Sequence, residues 1–275
     1  MKTESNLSLT QISVPGCSRQ AASISRRQLI KTLAVSLGSI AFVAPSLLKA
    51  AAEEIAGSLA MRGVKVVGIG HAGCSVIDCL VLAGFPMGNL VAMDTDSHTL
   101  AHCLAVEKLL LGPRITRGLG TGGNADTGLA AATESAAEIR RSLRGASLVV
   151  ICVGLGGGTG SGGTPVVISL ARQCAARTAV FAMMPFVFEG TRRDRQAETS
   201  LRRILWVVDW LNQVELRLLG TPFQSRAYFT DHLSLFENDD LTADIPEDAT
   251  VCEALRHADE TIGLAVREFL RRDSA

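Results

Sequence analysis

Net charge is the first thing this sequence lacks: 27 basic and 27 acidic residues cancel to a formal +0 at pH 7. That balance leaves no electrostatic footprint for a nucleic acid, so no nucleic-acid partner is expected. Metal-ligand spacing is missing as well. The cysteine count, 7, is odd, and Cys74, Cys79, Cys103, Cys152, Cys174 and Cys252 are scattered, several within apolar runs. Such placement suits buried free thiols in a reducing compartment rather than a metal centre. The main glycine-rich loop is not followed by Gly-Lys-Ser/Thr, which excludes a Walker A site.

What is present is glycine beside apolar runs. The chain has 275 residues, 47% of them hydrophobic, with 26 glycines, a composition suited to one large parallel-sheet α/β domain with glycine-rich connections. The organising stretch is Gly154-Leu155-Gly156-Gly157-Gly158-Thr159-Gly160-Ser161-Gly162-Gly163. Leu148–Val153 before it reads as a buried strand, and Pro165 is expected to open a buried helix after it. A strand, a glycine loop and a helix start in that order form an anion site, because backbone N–H groups turn inward and the helix dipole adds positive potential. Thr159 and Ser161 add hydroxyl donors. A flexible linker is the alternative, and it fits poorly between a strand and a helix.

Val64–Ile69 reads as a first strand entering Gly70-His71-Ala72-Gly73-Cys74-Ser75, with a helix expected from Val76 to Ala83. Leu90–Met93, Lys108–Leu111, Ser147–Val153 and Thr178–Met183 read as further strands. Helices are expected over Ser97–Ala105, Ala125–Leu143, Arg195–Leu218 and Glu247–Arg271. Trp206 and Trp210, four apart on one of these, suit core packing. A second glycine-rich segment, Thr116-Arg117-Gly118-Leu119-Gly120-Thr121-Gly122-Gly123-Asn124, precedes the helix at Ala125, and a solvated loop is its alternative reading. Pro185-Phe186-Val187-Phe188-Glu189-Gly190-Thr191-Arg192-Arg193 supplies in Glu189 a carboxylate fit for a ribose diol and in Arg193 an arginine fit for phosphate. Its alternative is a capped helix start.

Gly156–Gly162 closely resembles the GGGTG[ST]G signature of the tubulin/FtsZ GTPase family, and the likeness covers residues 62–205 with the loops in family order. The resemblance implies a Rossmann-like parallel sheet with flanking helices, an FtsZ-type GTPase domain that lacks most of the second domain. It implies GTP as ligand, with or without Mg2+. The GTP-binding positions it carries over are His71, Ala72, Gly73, Cys74, Ser75, Asn124, Gly157, Gly158, Thr159, Gly160, Ser161, Glu189 and Arg193. At 71, 72, 74 and 75 the side chains depart from the glycines and asparagine of the family pattern. Catalytic residues are not assigned. No GxNxDxxD loop is found, and Asn238-Asp239-Asp240-Leu241-Thr242-Ala243-Asp244 reads as an acidic turn. Asn212, Gln213 or Glu215 would have to read the base, since no family motif does so.

Three divisions follow: residues 1–60 as a disordered, signal-like or membrane-associating N-terminus, 61–220 as a GTP-binding domain, and 221–275 as a divergent tail with a terminal helix. Ser25-Arg26-Arg27-Gln28-Leu29-Ile30-Lys31 resembles a twin-arginine export signal, with an uncharged run from Thr32 to Leu48 after it. The location expected is cytoplasmic with membrane association through residues 26–52, or export. Implied partners are GTP and GDP, and either self-association or co-assembly with a complete FtsZ-like homologue. Slow or absent hydrolysis follows from the missing acidic loop. Two other readings stay open. Gly68-x-Gly70-x-x-Gly73 with Asp94 matches a dinucleotide fingerprint and would make an NAD-dependent oxidoreductase, although no catalytic His/Lys/Tyr set accompanies it. A non-binding scaffold relative is the third.

Overall fold

The computed structural model describes residues 61–219, 232–236, 241, 245 and 249–273. Six strands form one wholly parallel sheet in the order β3-β2-β1-β4-β5-β6. They are β1 Val64–Ile69, β2 Leu90–Asp94, β3 Glu107–Leu110, β4 Leu148–Gly154, β5 Arg177–Met183 and β6 His232–Phe236. The helices are α1 Gly70–Leu82, α2 Ser97–His102, α3 Pro113–Thr116, α4 Ala125–Glu134, α5 Ala136–Ser142, α6 Gly158–Gln173, α7 Thr191–Leu219 and α8 Val251–Asp273. Parallel strands need both faces covered, and the apolar runs of β1, β2, β4 and β5 are accordingly buried throughout their centres.

Successive strand residues point to opposite faces, so each strand feeds two cores. Val66, Ala92, Val150, Cys152 and Phe181 pack under α1 and α8. Val67, Val91, Val149, Ile151 and Val180 pack under the α4, α6 and α7 side. On α8 the buried stripe is Ala258, Ile262, Val266 and Leu270, one helical face at i, i+4, i+8 and i+12. The end of α8 is tied to the start of β5 by a two-pronged Arg177–Asp273 pair, at 2.9 and 2.5 Å. Both side chains are partly screened from water, so Asp273→Asn should cost about 1 kcal/mol in urea unfolding. An unchanged midpoint would mean that the pair contributes nothing.

Several elements depart from the expected boundaries, each for a tertiary reason. The α1 helix begins at Gly70 rather than Val76, so the His71–Ser75 segment is its first turns. The α6 helix begins at Gly158, with Pro165 inside it rather than at its start. The single helix expected over Ala125–Leu143 is two, parted at Ser135, whose hydroxyl accepts the Gly112 N–H at 2.9 Å. The edge strand β6, not anticipated, pairs with β5. Trp206, expected in the core, stands 64% exposed on α7; the side chain of Trp210 lies outside the described residues. Cys74, Cys103 and Cys152 are buried thiols as expected, whereas Cys252 is exposed. Burial alone pushes the Cys152 thiol up to about 12.

The twin-arginine-like stretch, the uncharged run and the segment 26–52 lie outside the described residues. Among the described residues no helix is long and apolar enough to cross a membrane.

Candidate functional site

The strand order reverses between β1 and β4, whose following helices α1 and α6 depart to opposite faces of the sheet. A crevice must open at such a switch point, above the carboxyl ends of the two strands. It is there: a cleft of about 410 Å3. Its floor carries Gly70, His71 and Ala72 from the start of α1 and Gly157–Gly160 from the start of α6. Two helix N-termini therefore aim unpaired backbone N–H groups and positive dipole ends at one space. That is an anion site built twice over.

The glycines of the signature are there for close approach. A Cβ on Gly162 would stand 1.9 Å from the Ala125 carbonyl oxygen, and one on Gly158 would meet Thr121 Oγ1 at 2.0 Å and Asn124 N at 2.8 Å. These contacts bring α4 and the Thr121–Asn124 turn against α6. Gln196 of α7 holds the same loops from the other side. Its Nε2 donates to the carbonyls of Gly123 at 2.9 Å, Gly156 at 3.1 Å and Gly157 at 2.9 Å. Thr159 and Thr95 share a 2.6 Å hydroxyl hydrogen bond, which fastens the β2 turn to the signature.

The far wall comes from β5 and the turn after it. Glu189 and Arg193 both line the cleft and form an ion pair with each other. The other Glu189 oxygen accepts the Phe186 N–H at 3.0 Å, so the carboxylate also closes the short turn Val187–Glu189. The residue expected to meet a ribose thus also closes this turn. Phe186 lines the cleft and stacks on Phe188 with ring centres 5.1 Å apart.

Of the thirteen positions expected at the site, His71, Ala72, Gly157, Gly158, Thr159, Gly160, Glu189 and Arg193 line the cleft. The other five do not: at Gly73, Cys74, Ser75 and Ser161 a helix runs where a loop was expected, and Asn124 is taken up in capping α4. Gly73 packs against β4, where an added Cβ would lie 2.4 Å from the Cys152 carbonyl oxygen. Cys74 is 2% exposed in the core under α1, where a hydrogen bond to Cys103 and burial push its thiol up. Ser75 donates back to the His71 carbonyl at 3.2 Å. Ser161 is fully buried and accepts the Gly156 N–H at 3.0 Å, shaping the loop from beneath. Asn124 caps α4, accepting from the N–H groups of Asp126 and Thr127 at 2.8 and 3.2 Å.

Sequence reasoning missed the roof. Leu241, and Leu255, Ala258 and Asp259 of α8, complete the cleft. Burial, with the Asp78 and Glu260 charges behind it, raises the Asp259 carboxyl to about 7. The available signal was a carboxylate beside the apolar stripe at 258, 262, 266 and 270, which means little until α8 is known to return to the sheet. Asp94, the acidic member of the dinucleotide fingerprint, is 3% exposed and accepts the Thr95 and Asp96 N–H groups at 2.6 and 3.3 Å. It is turned into its own loop, not offered to a ribose. The side chains of Asn212, Gln213 and Glu215 and the acidic run 238–240 lie outside the described residues.

A model of the Tubulin/FtsZ family, GTPase domain, matches residues 63–215. Cell division protein FtsZ 1 of Thermococcus kodakarensis is 45% identical over 141 residues, 51% of this chain and 38% of that protein. Cell division protein FtsZ of Neisseria meningitidis serogroup A is 34% identical over 203 residues, 74% of this chain and 46% of its own length. The chain therefore spans less than half of these relatives. Among solved structures, an FtsZ dimer from M. jannaschii superposes with a TM-score of 0.63 at 33% identity, over 75% of this chain and 54% of that one. A CetZ2 protofilament from Haloferax volcanii, bound to GTPγS, shares the fold at a TM-score of 0.60 and 24% identity, over 77% and 59%.

Proposed function

The chain belongs to the Tubulin/FtsZ family, and from that premise we propose that it is an FtsZ-like GTP-binding protein that holds the nucleotide and hydrolyses it slowly or not at all. The observation that carries the reading is the convergence of two glycine-opened helix N-termini on one cleft, with Glu189 and Arg193 on its far wall. The phosphate chain lies across Gly157–Gly160 and the start of α1, where N–H groups and dipoles oppose its charge. Mg2+, when bound, would offset further phosphate charge beside Thr159. The Glu189 carboxylate accepts from the ribose hydroxyls, and Arg193 supplies charge and a forked pair of donors.

Asp259 and the apolar surface of Leu255, Phe186 and Leu241 suit the base. Guanine presents adjacent N–H donors, which a carboxylate accepts as a pair, whereas adenine presents a ring-nitrogen acceptor beside its one amino donor. The slow-turnover part of the reading rests on the same carboxylates. Among the lining residues these are Glu189, which is engaged by Arg193 and Phe186 N–H, and Asp259, which stands with the apolar surface assigned to the base. Neither is free to orient an attacking water at the glycine loops. Membrane association through residues 26–52, and co-assembly with a complete FtsZ-like homologue, are the cellular roles this reading favours. Co-sedimentation of the chain with such a homologue in GTP tests the second.

The first experiment is to denature the purified full chain and identify any released nucleotide, then titrate fresh protein with GTP, ATP and NAD. GTP or GDP carried through purification, with preference for GTP in the titration, is the expected result. NAD would instead restore the oxidoreductase reading, and a cleft indifferent to all three would leave a scaffold.

Asp259 also gives the site a pH signature. Its carboxyl is raised, so the apo domain is favoured by the protonated form and loses stability as pH rises through about 7. Guanine needs the ionised form, so GTP affinity should move the other way, rising about tenfold between pH 6 and 8. Asp259→Asn should flatten this dependence, and the difference between the two proteins isolates the contribution of Asp259. Parallel profiles for the two would remove Asp259 from base recognition.

A further inference from the structure

Beside the nucleotide cleft lies a second concavity, of about 390 Å3, between α7 and the start of α4. Arg192, Arg195, Gln196, Thr199 and Arg203 all line it. Their spacing of i, i+3, i+4, i+7 and i+11 places them along one stripe of α7, next to the apolar stripe of Ala197 and Ile204 that enters the core. A stripe packed toward another element is normally apolar, and this one carries three guanidiniums. Arg203 is paired with Asp126 at 3.0 Å. Among the described residues Arg192 and Arg195 have no carboxylate partner. The lining thus carries three positive charges against one negative, in a space that already faces the positive end of the α4 dipole. The Asp126 and Thr127 N–H groups there are taken by the Asn124 cap, so α4 contributes its field rather than donors.

We propose that this concavity is a second anion site, one that takes a phosphoanhydride chain of pyrophosphate length or longer. Guanidinium forks match pairs of phosphate oxygens. Arg192 and Arg203 are separated along α7 by about 16 Å, at 1.5 Å per residue, a spread that suits linked phosphates better than a single one. The site is separate from the cleft but touches it. Gly123 lines both spaces, and Gln196, which lines the second, donates to the glycine-loop carbonyls of the first. Occupancy of one site therefore bears on the loops of the other, and the effect must be reciprocal.

The test is calorimetric titration of the full chain with sodium pyrophosphate, alone and with GTP saturating, against two variants. Arg192→Gln with Arg195→Gln should weaken pyrophosphate at least about tenfold, the loss of two charge-assisted contacts. Asp126→Asn removes the one competing carboxylate and should strengthen it about threefold. Both variants should keep the far-ultraviolet circular dichroism of the native chain and bind GTP within about threefold of it. If a second equivalent of GTP binds and is lost in the double variant, the phosphate chain belongs to a nucleotide; if only pyrophosphate behaves so, it is free. Pyrophosphate that is expelled by GTP and unaffected by the arginine changes would be occupying the nucleotide cleft, and the proposal falls. So it does if pyrophosphate does not bind. Arginine-dependent pyrophosphate binding in a chain that ignores GTP would instead keep this site and remove the nucleotide reading.

Discussion

Gly162→Ala is expected to lower the unfolding free energy of the domain by about 2–3 kcal/mol, the upper part of the usual range for overpacking a filled interior. An added Cβ would stand 1.9 Å from the Ala125 carbonyl oxygen and 2.5 Å from Leu129 N. Both are backbone atoms of α4, so no rotamer change relieves the contact and the two helices must separate. The sign is what makes the measurement informative. In an open helix the same substitution would stabilise by about 1 kcal/mol, since alanine has the better propensity. A urea midpoint at or above that of the native chain would mean that α4 and α6 are not in contact along this line. Gly163, one residue on, gives the control, because a Cβ there meets nothing nearer than 3.5 Å.

The second large effect belongs to binding rather than folding. Gly158→Ala should weaken GTP about a hundredfold while changing stability by less than about 1 kcal/mol. The added methyl would press on Thr121 Oγ1 at 2.0 Å and on the backbone of Asn124 at 2.8 Å. Thr121 can turn away, but the Asn124 backbone gives way only by shifting the whole turn, since its side chain caps α4. The displaced turn carries Gly123, which lines the cleft and is bonded to Gln196. Equilibrium titration with a fluorescent guanine nucleotide, beside urea unfolding of the same protein, separates the two quantities. Affinity that survives the change would show that the Thr121–Asn124 turn plays no part in holding the phosphates. Affinity and stability lost together would show only a damaged fold.

Reading the strands from the sequence worked because their signal is local. Continuous β-branched runs such as Leu148–Val153, bounded by glycine, have few alternatives in a chain of this composition. The order of glycine loops was equally legible, and with it the family. Helix starts were not. Glycine has poor helix propensity and proline favours a first turn, so local rules place the start of α6 at Pro165. The helix instead begins at Gly158, seven residues earlier, because only glycine at 158, 160 and 162 lets it lie this close to α4 and β4. The start of α1 differs from the local reading in the same way, and there Gly73 and Cys74 pack inward while Ser75 bonds back along the helix.

By itself, then, the sequence determined five of the six strands and the order of the glycine loops, and it marked Glu189 and Arg193 as an anion and a cation next to one another in the chain, since each of these depends on residues adjacent in the sequence. Tertiary structure alone decided which side chains of those loops face the cleft, because helix phase turns a one-residue difference into a change of face. It also decided that α8, far along the chain, folds back over α1 to bring Leu255 and Asp259 to the cleft. Nothing local encodes that return. It follows from the need to cover the second face of a parallel sheet, and the apolar stripe of α8 is the surface that covers it.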